Sequence, residues 1–144
     1  MMRRNPARMK YQKDKRSSAL CVLAIAFNIY YFVAVFRSDA IAPDLVLGAD
    51  VIVNIVFMMV AFLAGEKLKA YEPRWGWAVL AMGIAEIARV LVVPAHYRAL
   101  GVMSDALYYQ AAGALALAGL SLMAAGVNAL VNRRLLDRAA RTEG

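Results

Sequence analysis

One cysteine and one histidine in 144 residues remove most of the chemistry by which small proteins are stapled or made reactive. Cys21 has no second thiol within the chain, so an intramolecular disulfide, a thiolate metal cluster and a cysteine redox pair are excluded, and it reads as a small apolar residue. His96, just past Pro94, lacks another histidine or a cysteine with which to hold a metal or haem and reads as a solvated loop residue. Neither metal nor cofactor is expected. Also missing are a nucleophile with a matching base, a glycine-rich phosphate loop and an acid pair in an extramembrane cleft, so the chain is not expected to be an enzyme. Charge is sparse too. Only 19% of residues are charged while 62% are hydrophobic, and the mean hydropathy is +0.55; so short and apolar a chain is no soluble domain wrapped around one core.

What is present is four apolar runs, at Ser17 to Phe36, Leu45 to Gly65, Trp75 to Val93 and Ala106 to Val131. Each approaches or exceeds the roughly 20 helical residues needed to cross about 30 Å of hydrocarbon, which predicts an all-α membrane protein with four transmembrane helices. The runs lack the alternation of lipid-exposed strands, which excludes a barrel. The connections, Arg37 to Asp44, Glu66 to Arg74 and Pro94 to Asp105, are short and predict an antiparallel bundle. Pro73 suits the start of helix 3, and Pro94 is expected to end it.

Cations set the orientation. Fourteen of the seventeen Lys and Arg residues fall before helix 1, between helices 2 and 3, or after helix 4; the opposite loops hold only Arg37 and Arg98, and Arg89 lies inside helix 3. Both termini are therefore predicted to be cytoplasmic in a multi-pass plasma (inner) membrane protein. The organisation follows: a basic tail at 1–16, one transmembrane domain at 17–131 and a basic C-terminal tail at 132–144. Ala40-Ile41-Ala42 resembles a cleavage motif, but the preceding apolar core is longer than the 7–15 residues of a signal peptide and Pro43 follows directly, so helix 1 is expected to be retained.

The net charge of +7 is largely what this topology requires, so a nucleic-acid partner is not expected. The residues Arg8, Lys10, Tyr11, Lys13, Lys15 and Arg16 suit anionic headgroups, each nearby cation being worth about 1 kcal/mol, or an acidic cytoplasmic partner with Tyr11 as its anchor.

The most informative residues lie at membrane depth. A charge at the bilayer centre costs roughly 2.5–3.5 kcal/mol on the mildest insertion scale, so such groups face protein or water. Counting from the span boundaries places Asn28, Asn54 and Glu86 near the midplane and Asp50 and Arg89 in the outer half. Asp50 and Asn54 are four apart, Glu86 and Arg89 three apart, so each pair shares a helical face. These spacings predict Asp50 paired with Arg89 across helices, Glu86 with Arg89 along one helix, and Asn28 or Asn54 as hydrogen-bond donors. Two carboxylates against one guanidinium leave one negative charge to be neutralised by a proton, a cation, water or a partner's basic group; the depth of Glu86 favours a proton there. Three roles stay open: a structural ion pair that fixes helix neighbours, a proton or ion coupling site, and a charged contact for another membrane subunit.

On helix 4, Ala112, Ala116, Gly119, Met123 and Gly126 recur on one face, and small residues let helix backbones approach closely in lipid. This seam serves packing within the chain, a homodimer or a separate membrane subunit. The functional expectation is a non-catalytic small membrane subunit that associates with a larger transporter or complex; the alternative is a small proton- or ion-coupled transporter acting as a homo-oligomer. In outline the chain is similar to the small multidrug resistance transporters, but their essential glutamate lies in helix 1, where only Asn28 stands here, and no residue role is carried over.

Overall fold

Three of the four helices begin beside a side chain that accepts a free backbone N–H. In the computed structural model, which describes residues 13–142, α1 spans Lys15–Phe36, α2 Leu45–Lys69, α3 Pro73–Ala99 and α4 Asp105–Thr142. Asp14 caps α1 through the Ser17 amide, at 3.2 Å. Asp44 caps α2 through the Leu47 amide, at 2.7 Å. Ser104 receives the Leu107 amide at the start of α4, at 3.2 Å, and Pro73 opens α3, where its missing N–H removes nothing. All four helices are long and apolar enough to cross a membrane, which makes this a multi-pass membrane protein.

Three boundaries differ from the sequence expectation. Pro94 does not end α3: the helix runs through it to Ala99, with Pro94 buried. A proline inside a helix removes one backbone hydrogen bond and crowds the preceding turn; here tertiary contacts hold the extension. Tyr97, 2% exposed, lies within the apolar core and donates its hydroxyl to Asp44 at 2.7 Å. His96 and Arg98 consequently sit on the last turn of α3 rather than in a loop. The helix ends at Gly101, whose φ of +72° is the left-handed conformation glycine tolerates best. At the other end, α4 continues as helix through most of the stretch expected to be a tail; its 38 residues reach about 57 Å, nearly twice the hydrocarbon thickness.

The packing is unequal. Half of the apolar window of α4 is buried but only 22% of that of α2, because α4 packs extensively on both α3 and α1 while α2 leans on α1 and touches α3 less. Two apolar clusters make up the core. One gathers Cys21, Ala24, Ala64, Leu68, Val79 and Leu122, and the other Tyr31, Val35, Leu47, Val93, Tyr97 and Leu115. Asn28 of α1, Asp50 and Asn54 of α2, and Glu86 and Arg89 of α3 fall between these two clusters.

The tightest seam joins α3 to α4. A Cβ at Gly83 would lie 2.6 Å from the Gly119 carbonyl oxygen, and one at Gly126 2.7 Å from that of Gly76. Glycines seven apart on each helix therefore face one another in pairs, which a left-handed helix crossing keeps in register over two turns.

Candidate functional site

Three helices converge on Arg89. Its Nη2 donates to Asp50 Oδ1 at 2.8 Å, and its Nη1 to Glu86 Oε2 at 2.8 Å, Asn54 Oδ1 at 3.2 Å and Asn28 Oδ1 at 3.4 Å. The intrahelical pair follows from the three-residue spacing of Glu86 and Arg89; the reach to Asp50 and Asn54 follows from their shared face on α2. Asn28, Asp50, Asn54, Glu86 and Arg89 are all buried, Glu86 and Asn54 fully. The structure thus brings together all five intramembrane polar residues.

The two asparagines accept as well as donate. To the guanidinium they present their side-chain oxygens. Their amide nitrogens go to backbone carbonyls, Asn28 to Ala24 at 3.1 Å and Asn54 to Asn28 at 3.4 Å. The reason is the donor inventory: a guanidinium offers five N–H groups and accepts nothing. Asn54 thereby also ties α2 to the backbone of α1.

Tyr31 is the member that the polar count missed. Its hydroxyl donates to Asp50 Oδ2 at 2.5 Å, and its ring lies 5.3 Å from the Arg89 guanidinium carbon, with the Phe57 ring at 5.6 Å. Spacing could have found it, since Asn28 and Tyr31 are three apart on one face of α1. Aromatic rings over a desolvated guanidinium add roughly 2 kcal/mol of attraction. Both oxygens of Asp50 are thus engaged. Among the described residues two buried side-chain atoms have no hydrogen-bond partner, Glu86 Oε1 and Arg89 Nε, and an orphaned buried polar atom costs about 1–3 kcal/mol, more where the group is charged. With both carboxylates ionised, the cluster carries one uncompensated negative charge.

A second buried polar cluster, which sequence reasoning passed over, lies where α1 begins. Asp14, 1% exposed, receives the Ser17 hydroxyl at 2.7 Å and the Asn132 amide at 2.9 Å, with Asn128 Nδ2 at 3.4 Å from it and 2.7 Å from Ser17 Oγ. Its backbone amide donates to the carbonyl of Lys69 at 3.3 Å. No cation pairs with Asp14 among the described residues; its hydrogen bonds join α1 to α4 and to the end of α2. Asn128 and Asn132 are four apart on α4, a spacing that marks them as one face.

The remaining sequence candidates fall elsewhere. Gly119 and Gly126 are buried and Met123 half-buried against α3, while Ala112 and Ala116 are half-buried farther along α4. Lys13, Lys15 and Arg16 are exposed around the start of α1, and Arg8, Lys10 and Tyr11 lie outside the described residues. His96 is exposed, with its ring edge-on to Tyr97 at 5.3 Å. No group of three or more potential metal ligands occurs among the described residues. Near that end of the bundle, the Tyr97 hydroxyl and the Leu47 amide stabilise the ionised form of Asp44 and hold its carboxyl below the usual value of 3.8. Compared with models of protein families, with curated proteins and with solved structures, the chain matches none.

Proposed function

We propose that this chain is a non-catalytic integral membrane subunit that accompanies a larger membrane transporter or complex. The observation that carries this reading is the closure of the charge cluster. Arg89 is shared among two carboxylates and two asparagines drawn from three helices, and such a set fixes which helices neighbour one another. A hollow of about 300 Å³ between α1 and α4 is lined by none of these residues. The Gly119 and Gly126 part of the small-residue face of α4 lies against α3, so a partner would be met through the outward apolar faces, above all that of α2, which exposes Ile52, Val56, Met59 and Phe62.

In this reading the bundle is antiparallel, supported by the glycine pairs: residue numbers rise along α3 as they fall along α4, with Gly76 opposite Gly126 and Gly83 opposite Gly119. Both termini are cytoplasmic in a plasma (inner) membrane, as the cation distribution favours. The basic ends then lie against anionic headgroups.

One observation favours a second reading, a proton- or ion-coupled transporter acting as a homo-oligomer: the unpartnered Oε1 of Glu86 in a cluster with one excess negative charge. A proton on Glu86 neutralises that charge. Gentle extraction from the native host, crosslinking and mass identification separate the two. A stoichiometric larger membrane protein supports the subunit; recovery only as a self-oligomer, with pH-coupled flux in vesicles that Glu86→Gln abolishes, replaces it with the transporter.

A further inference from the structure

At the end of the bundle opposite Asp14, α1 and α4 enclose a groove of about 300 Å³. Its α1 wall is the stripe Tyr30, Val33, Ala34 and Arg37, at positions i, i+3, i+4 and i+7 of one helical face; Leu107 and Gln110, three apart on α4, form the other wall, and Ser38 closes the end. From Tyr30 to Arg37 the stripe covers about 10 Å along the helix axis. Polarity is graded along it. Arg37 and Ser38 stand at the end of α1, with the apolar Val33 and Ala34 one turn deeper; α4 runs back from this end, so Leu107 lies near Ser38 and Gln110 deeper, level with Ala34.

The two arginines of this end differ in what they hold. Arg98 pairs with Asp105 at 3.0 Å and lies 4.5 Å from the ring centre of Tyr108. Arg37 has no ion pair and its guanidinium no hydrogen bond among the described residues; Asp39, two residues on, is exposed and unpaired with it. The side chains of Ser38 and Gln110 likewise make no hydrogen bond there. A groove whose α1 wall carries an unpaired guanidinium and a hydroxyl at its end, above the apolar Val33 and Ala34, suits an amphiphile with an anionic head. We infer that it holds one phospholipid, its phosphate on Arg37 and Ser38 and the start of an acyl chain along Val33 and Ala34. Arginine suits this position because its planar donor fork matches phosphate oxygens. This goes beyond the proposed function and does not depend on it, since the site requires neither a protein partner nor transport.

The test is native mass spectrometry of the purified, delipidated chain titrated with phosphatidylglycerol, with diacylglycerol and with glycerol 3-phosphate. The expected result is one phosphatidylglycerol bound per chain, weakened about tenfold or more by Arg37→Gln and abolished by Ala34→Trp, which fills the groove; Arg98→Gln binds as the parent does. Diacylglycerol and glycerol 3-phosphate each bind far more weakly. Equal lipid binding by the parent and the Arg37→Gln chain overturns the site, as does loss only in variants whose melting temperature has also fallen. Binding of glycerol 3-phosphate as tight as that of the lipid makes it a free-anion site and overturns the lipid assignment.

Discussion

Adding a single methyl group at Gly83 is the sharpest probe of what holds this bundle together. The Cβ of an alanine there would stand 2.6 Å from the Gly119 carbonyl oxygen, 2.6 Å from Met123 Cγ and 2.8 Å from the Met123 backbone nitrogen. Ordinary contact begins near 3.4 Å; Met123 can swing its side chain aside, but the two backbone atoms belong to α4 itself. Relief therefore requires the helices to part by roughly 0.8 Å at this level, loosening Gly76 against Gly126 two turns away. Overpacking of this kind costs about 1–3 kcal/mol, and alanine's advantage over glycine inside a helix returns at most about 1 kcal/mol. Gly48 and Gly113 meet nothing within 4 Å, so alanine there brings the propensity gain without the clash. The assay is reversible unfolding in detergent micelles followed by circular dichroism. Gly83→Ala and Gly119→Ala should each lower stability, while Gly48→Ala and Gly113→Ala should leave it unchanged or raise it. The double variant Gly83→Ala/Gly119→Ala should lose less than the two singles combined, because one separation relieves both clashes. If Gly83→Ala is as stable as Gly113→Ala, or if the two losses add fully, close backbone approach is not what joins α3 to α4.

Three further outcomes follow from the polar clusters. Arg89→Met should destabilise by about 3–5 kcal/mol, because it strands two buried carboxylates, whereas the triple change Arg89→Met/Asp50→Asn/Glu86→Gln should recover much of that loss; unfolding in detergent reads both, and equal losses would mean the charges are not buried together. Asp14→Ala removes a helix cap and leaves the Asn128 and Asn132 amides without their carboxylate, so a loss of about 2–3 kcal/mol is expected, with hydrogen exchange accelerated at the first turn of α1; unaltered exchange there would contradict the account. For Asp44 the folded carboxyl titrates below its ordinary value of 3.8, so its contribution is fully present above that pH and is lost as pH falls through the folded value. Melting temperatures between pH 5 and pH 2 should therefore fall less steeply in Asp44→Asn than in the parent, and identical slopes would remove Tyr97 and the Leu47 amide as the cause.

The four spans were legible in the sequence because crossing hydrocarbon is a demand each segment meets by itself: enough consecutive apolar residues, and every backbone group bonded within its own helix. Grouping of the charged residues followed from helical spacing, since Glu86 and Arg89, or Asp50 and Asn54, share a face whatever the helix packs against. Pro94 shows where local rules give way. Proline's preference for helix ends is a matter of a few kcal/mol, and the anchoring of Tyr97 to Asp44 and the core outweighs it. Tyr31 was harder to see for a related reason: its spacing from Asn28 put it on the right face of α1, but its role shows only where α2 brings Asp50 to its hydroxyl. The same holds for Asp14, an acid within a basic tail until Asn128 and Asn132, more than a hundred residues away in sequence, surround it.

Composition and spacing thus determined that the chain crosses a membrane as four helices, and which side chains on each helix point the same way. Only the tertiary structure decided which faces meet: that the glycines of α4 lie on those of α3, that one guanidinium is shared by three helices, and that one carboxylate oxygen of Glu86 is left without a partner. Periodicity along a helix fixes direction about its own axis, but the pairing of faces depends on contacts between segments distant in sequence, where close backbone approach and the satisfaction of buried polar groups outweigh any local preference.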